Sequence, residues 1–215
     1  MSIGVLASGE GTTFEGIARG LQDQQIPARI NLVVSDRVDA HVLERARRWG
    51  FPILVLPRRG GDRDLWAEEL SRQLHQSRVE LVVLAGFLAI LPARWVEEWR
   101  GRAINLHPSL LPRFGGRGMH GMRVHTAVLA AGERETGATV HIVTNDVDGG
   151  PILGQERMGV SSDDTPESLR ERLHPLEVRL MIETIRRFAE GDLALPYPVA
   201  ASAGTGPRTS ESAVG

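Results

Sequence analysis

The chain has 215 residues, of which 41% are apolar and 24% charged, with a formal net charge of -2 and no cysteine. That length supports one substantial core, the balanced charge argues against bulk binding to nucleic acid or acidic lipid, and the missing thiols exclude disulfides, thiolate metal sites and a cysteine nucleophile. The N-terminus lacks the basic and apolar segments of a signal peptide, and no apolar run is long enough to span a bilayer, so a cytoplasmic location is expected.

In chain order, short runs rich in Val, Ile and Leu alternate with amphipathic stretches. Ile3–Ala7, Ile30–Ser35, Pro52–Leu56 and Val79–Ala85 read as strands buried on both faces. Between them Thr12–Gln22, Ala40–Trp49 and Asp62–Gln76 read as helices. The second places Val42, Ala46 and Trp49 at helical spacing; the third starts on Asp62 as its N-cap and puts Leu65, Leu70 and Leu74 on one side. Strand–helix–strand repetition of this kind predicts right-handed crossovers and a parallel sheet.

The pattern changes after Gly101. Arg102–Leu106 reads as a further buried strand, Leu110–Arg123 as a long loop and Val124–Ala131 as a short helix. Ala138–Thr144 and Pro151–Val160 read as two more strands, and Thr165–Phe188 as the longest helix, capped by Asp164 or Thr165 with Pro166 in its first turn. Pro175 interrupts that helix and predicts a kink or a break into two. The expected fold class is α/β: a single Rossmann-like doubly wound sheet, parallel in the N-terminal half and mixed at the C-terminal strands. One domain is expected over residues 1–198, followed by a small, polar, disordered tail over 199–215.

Ser8-Gly9-Glu10-Gly11-Thr12-Thr13 follows the first strand and opens the first helix, so successive backbone N–H groups and the helix dipole offer an anion site. It lacks the Gly-Lys-Ser/Thr ending of a nucleotide-phosphate loop, and Phe14 stands where a dinucleotide fingerprint needs its third glycine. A phosphate monoester is the best functional reading; a tight strand–helix turn without ligand is the plain alternative.

Further on, Asn105 and His107 lie two apart in an extended segment and therefore face the same side. Pro108 removes a backbone donor and ends the strand, leaving both side chains at its open end. Asp148-Gly149-Gly150-Pro151 supplies a carboxylate downstream. An amide, an imidazole and a carboxylate are what acyl transfer needs: Asn105 and His107 for a developing oxyanion, Asp148 to hold the imidazole and take a proton from an attacking amine. His141 is a candidate supporting partner. The plain alternative makes these residues strand-end hydrogen bonders and an ordinary turn. A metal site built from His107, His141 and Asp148 is a third reading, unsupported by local ligand spacing.

Together these segments resemble the phosphoribosylglycinamide formyltransferases, folate-dependent enzymes of purine biosynthesis. The resemblance runs from about Ser2 to Leu195 and is carried by Val5-Leu6-Ala7-Ser8-Gly9-Glu10-Gly11, Val82-Val83-Leu84-Ala85-Gly86-Phe87, Asn105-Leu106-His107-Pro108-Ser109-Leu110-Leu111-Pro112, Gly137-Ala138-Thr139-Val140-His141 and Asp148-Gly149-Gly150-Pro151. The Asn-to-Pro segment is shared by the wider superfamily that uses formyltetrahydrofolate, so it speaks more strongly for the chemistry than for the acceptor. The resemblance implies Asn105, His107 and Asp148 as catalytic residues, and Gly11, Thr12 and Thr13 as a loop holding a ribose phosphate. It further implies Glu177 on the ribose hydroxyls, and Arg63, Leu88, Ile90, Leu91, Val143 and Asp146 at the folate. The co-substrate is then 10-formyltetrahydrofolate without a metal, and the partners are small molecules, with no nucleic acid or membrane, in a monomer or homodimer.

Departures from the family pattern bear on the acceptor. Thr13 stands where many relatives have Asn, and Ala89 where an Arg is common. Leu180-Met181 replaces a frequent Tyr-Pro, and the glycine-rich loop Phe114–Met122 is longer than the commonest form, a candidate lid. A formyltetrahydrofolate deformylase, a methionyl-tRNA formyltransferase or another amine acceptor are the nearby alternatives. The first two usually carry an extra N-terminal regulatory or C-terminal tRNA-binding domain, for which this sequence gives no expectation. From another class, a nucleotide-binding oxidoreductase or binding module is disfavoured by the defective fingerprint and by both triad motifs in order.

Overall fold

A computed structural model describes residues 1–58 and 60–199; all but the first residue of the expected tail lies outside them. The elements run β1 (Ser2–Leu6), α1 (Thr12–Asp23), β2 (Arg29–Ser35), α2 (Val42–Arg48), β3 (Ile53–Val55), α3 (Arg63–Gln76), β4 (Leu81–Leu84), α4 (Ala93–Glu98), β5 (Ala103–His107), α5 (Met122–Ala130), β6 (Glu135–Ile142), β7 (Ile152–Gly159) and α6 (Pro166–Glu190). They form one seven-stranded sheet in the order β3-β2-β1-β4-β5-β6-β7. The first five strands pair in parallel, while β6 and β7 are antiparallel additions at one edge, as the mixed pattern predicts.

Alternate residues of the central strands feed opposite faces, as the two-residue period requires. Ile3 and Val5 of β1 and Leu81 and Val83 of β4 join the core under α1, α2 and α6, with Phe14, Ile17, Ala46, Leu173 and Met181. Leu6, Val82 and Leu84 join the core under α3 and α4, with Leu70, Leu74, Trp95 and Trp99. Helices therefore cover both faces. β1 and β4 are neighbours although β2 and β3 lie on the far side of β1, so the chain reverses its direction of travel across the sheet between them. In open α/β sheets that switch point opens a crevice at the carboxyl ends of the strands.

β3, expected to be buried on both faces, is only half-buried at the edge of the sheet, and three further details depart from the sequence expectations. α4 occupies a stretch for which no element is expected. It has only six residues, and it is held by burial of Trp95 and Trp99, the latter donating from Nε1 to Ser71 Oγ at 3.0 Å. Leu65 does not share a face with Leu70 and Leu74; it is 64% exposed while those two are fully buried, because five residues of helix turn it well away from them. Of the kink or break expected at Pro175, the break does not occur: α6 is one continuous helix of 25 residues, Pro166–Glu190. Its start is fixed by a capping box in which the Thr165 side chain accepts from the Ser168 N–H and the Ser168 side chain from the Thr165 N–H. Beyond Pro175 its path is set by α1: a Cβ at Gly16 would lie 2.7 Å from Val178, and one at Gly20 would overlap Ile182, so the two glycines admit a close crossing. Tertiary packing there overrides the local cost of the missing N–H.

The turn carrying Asp148 is tightly built. Asp148 adopts φ 58°, a left-handed conformation that Asp tolerates better than most residues. A Cβ on Gly150 would overlap the carbonyl oxygen of Ile142 at the end of β6. Gly150→Ala should therefore cost about 1–3 kcal/mol, which for a chain of this size lowers Tm by roughly 2–4 °C per kcal/mol. Thermal unfolding checks this, and an unchanged Tm would contradict the close approach.

Candidate active site

A cleft of about 990 Å³ opens at the carboxyl ends of β1, β4 and β5, beside the switch point. Its walls include Thr12 and Thr13 from the start of α1, Leu88, Ile90 and Leu91 from the loop after β4, Asn105 and His107 from β5, Val143, Asp146 and Asp148 after β6, and Glu177 on α6. Arg63 and Gly11 are the two expected site residues outside this wall. The Arg63 guanidinium instead donates to the Ile90 carbonyl at 3.0 Å, bracing the loop that bears Leu88 and Leu91. Gly11 lies directly behind Thr12 and Thr13; with φ 74° it caps α1, and a Cβ there would come within 2.6 Å of Val42, so only glycine lets the loop turn against α2.

Ser8 ties three crossover loops to this end of the sheet. Its buried hydroxyl donates to Asp36 Oδ1 at 2.6 Å and accepts from the Leu88 N–H at 2.9 Å. No side chain caps the N-terminus of α1, so the first-turn N–H groups are left facing the cleft. The acids nearby are already paired: Glu15 with Arg45, and Glu10 with His41 at 2.9 Å. The hydrogen bond from His41 holds the Glu10 carboxyl below its usual range.

The three chemical side chains meet at the end of β5. β6 pairs antiparallel with β5, setting His141 opposite Asn105, and directly opposed residues in such a pair face the same side. His141 Nδ1 lies 2.9 Å from the Ile142 carbonyl oxygen and carries its proton there. In the neutral ring Nε2 is then an acceptor for the Asn105 amide at 3.1 Å. The same amide nitrogen lies 3.4 Å from Asp148 Oδ1, a long contact open to redirection. His107 Nε2 donates to the Phe114 carbonyl at 2.8 Å, which turns Nδ1 toward Asp148 Oδ2 at 3.5 Å. Gly116 N–H donates to that same oxygen at 2.9 Å. The glycine-rich loop thus contributes one main-chain group to the imidazole and one to the carboxylate.

Burial alone would raise the Asp148 carboxyl, but the imidazoles of His141 and His107 beside it and the Gly116 N–H prevail and hold it below the usual carboxylate range. The His107 imidazole is pushed down, chiefly by burial and only partly restored by Asp148 and its bond to the Phe114 carbonyl. At neutral pH the pair therefore rests as a carboxylate beside a neutral imidazole. Histidine-selective NMR titration should place His107 below the ordinary histidine value, and Asp148→Asn should move it further down, since the carboxylate's pull is lost while burial stays. An upward move in that variant would contradict the arrangement.

Among the described residues no three His, Asp or Glu side chains converge as metal ligands would. His107 and His141 each address a different Asp148 oxygen. The wall also holds polar residues that no sequence motif marks, among them His125, Arg170 and His174. The last two share a face of α6 with Glu177, and that spacing of three and four residues was the available signal.

A crevice at the switch point of a doubly wound sheet, holding an amide donor, an imidazole and an ionised carboxylate, defines an enzyme of the acyl-transfer class. The chain belongs to the formyl transferase family, whose model matches residues 1–185. It is 34% identical to the phosphoribosylglycinamide formyltransferase of Haemophilus influenzae, over 90% of this chain and 89% of that protein. The crystal structure of glycinamide ribonucleotide transformylase 1 from Symbiobacterium toebii superposes with a TM-score of 0.84 at 39% identity, covering 90% of both chains. The chloroplastic phosphoribosylglycinamide formyltransferase of Arabidopsis thaliana is 37% identical over 87% of this chain. The chain spans 65% of the length of that plant protein and 13% of a trifunctional purine biosynthetic protein that it also matches.

Proposed function

We propose that this protein transfers a formyl group from 10-formyltetrahydrofolate to the amine of 5'-phosphoribosylglycinamide, a step of de novo purine biosynthesis. The observation that carries the reading is the Asn105–His107–Asp148 constellation at the end of β5. It lies in one cleft with the uncapped start of α1 and the apolar loop after β4. The phosphate of the acceptor sits on the first-turn N–H groups and hydroxyls of Thr12 and Thr13, where the helix dipole favours an anion. Glu177 takes the ribose hydroxyls. The folate lies along Leu88, Ile90 and Leu91, with Val143 and Asp146 closing the opposite side and Arg63 stiffening the loop.

In the reaction the neutral amine attacks the formyl carbon, forming the new C–N bond and driving the carbonyl electrons onto oxygen. The Asn105 amide, held by His141, donates to that oxyanion in place of its long contact to Asp148 Oδ1. The ionised Asp148 accepts a proton from the amine, directly or through one water, and the His107 Nδ1 lone pair beside it shares that proton. A protonated Nδ1 is a second donor to the oxyanion. Collapse of the intermediate breaks the bond to N10 of the folate, which leaves with the proton that the amine lost. The expected setting is the cytoplasm; among the described residues no helix is long and apolar enough to cross a membrane.

Tetrahydrofolate release, followed with the formyl donor alone, with donor and phosphoribosylglycinamide, and with donor and glycinamide lacking the phosphate, tests the assignment. Release only with the phosphorylated acceptor is expected. Release without any acceptor would make the protein a deformylase, and equal rates with both amines would rule out a role for the phosphate loop.

A further inference from the structure

His125 lies on α5, which packs against α6, and it is only 2% exposed. Its Nδ1 is buried and has no hydrogen-bond partner among the described residues, yet the residue forms part of the cleft wall. The neighbours of that helix turn are apolar: Val124 and Val128 pack with Leu169 of α6. Glu177 and Arg170 of α6 and the catalytic His107 are the charged or titratable groups near enough to act on its imidazole. Formyl transfer through Asn105, His107 and Asp148 gives this histidine no part.

Folded proteins leave a buried N–H without a partner more rarely than a buried acceptor. The neutral ring therefore keeps its lone pair on the buried Nδ1 and carries its proton on Nε2. That nitrogen is not among the sealed unpaired atoms, so it is the one left for the cleft. Burial holds the ring neutral at physiological pH. A neutral N–H donor fixed in a wall near both Glu177 and His107 suits an uncharged oxygen.

We infer that His125 is a specificity-determining residue that donates from Nε2 to a neutral oxygen of the acceptor, in the stretch between its ribose and its reacting amine. This rests on phosphoribosylglycinamide being the acceptor. Glu177, an acceptor of hydrogen bonds, reads hydroxyl protons, whereas His125 reads an oxygen lone pair. An acceptor lacking that oxygen would leave a buried donor unsatisfied, which is how a polar site rejects a near-miss substrate.

The test compares His125→Leu with His125→Gln in the full chain, using phosphoribosylglycinamide and the formyl donor. Leucine fills the site without a donor, whereas the glutamine amide can put an N–H near the position of Nε2. His125→Leu should raise KM for the acceptor about tenfold, the effect of one lost hydrogen bond. KM for the formyl donor should stay within about twofold, and His125→Gln should recover most of the loss. Nitrogen-15 NMR of the wild-type protein should show the Nε2–H tautomer for this ring. Equal rises in KM for both substrates, no recovery with glutamine, or an Nδ1–H tautomer would each overturn the inference. If wild-type protein shows no acceptor-dependent turnover, the acceptor assignment itself falls, a failure distinct from that of His125.

Discussion

Replacing Asp148 by Asn should lower kcat by about 10²- to 10⁴-fold, the range for loss of a positioned proton acceptor. Asparagine has nearly the shape of the native side chain, so the turn and its neighbours lose little packing. What is lost is the ability to take a proton. The carboxylate is prepared to do so, because the contacts from His141, His107 and the Gly116 N–H keep it ionised despite its burial. KM values near those of the wild type, with a circular dichroism spectrum and Tm close to it, would show that the loss is chemical. A variant with near-normal turnover would mean that the proton leaves by another route.

The second large effect is expected at Asn105. Its amide nitrogen is anchored by His141 at 3.1 Å and leans toward Asp148 at 3.4 Å, so it is rigidly placed yet weakly committed on the side of the cleft. A donor held this way needs little reorganisation when negative charge develops on the formyl oxygen, since only the long Asp148 contact is exchanged. Asn105→Ala should reduce kcat by roughly 10²- to 10³-fold, or about 2.7–4 kcal/mol of transition-state stabilisation. KM for either substrate should change little, because the oxyanion does not exist in the ground state. Steady-state kinetics with both substrates checks this, and a variant that raised KM while sparing kcat would make Asn105 a binding group.

Much of this was legible in the sequence because its strongest signals are local. Pro108 after Asn105-Leu106-His107 marks a strand end, and β5 indeed stops at His107. The glycines around Glu10 mark the turn into α1, and Asp62 caps α3 as expected, its side chain accepting from the Asp64 N–H. What escaped depends on contacts between distant segments. α4 exists because Trp95 and Trp99 find a pocket against α3, which no six-residue window reveals. α6 survives Pro175 because Gly16 and Gly20 let α1 approach it. The hold of the loop over 114–116 on the imidazole and the carboxylate runs through main-chain groups, which leave no mark in a sequence beyond permissive glycines. His125 is hidden for the opposite reason: in sequence it is a polar residue on an otherwise apolar helix face, and only the fold shows that a cleft lies beside it.

The function proposed for this cleft is that Asn105, His107 and Asp148 together move a formyl carbon from folate nitrogen to the acceptor amine. Single-turnover NMR with donor labelled with carbon-13 at the formyl group follows that carbon itself. The label should appear on the amine of phosphoribosylglycinamide in wild-type protein, and its appearance should slow by orders of magnitude in Asp148→Asn. Label recovered as free formate, or transfer that proceeds equally fast without the carboxylate, would contradict this chemistry.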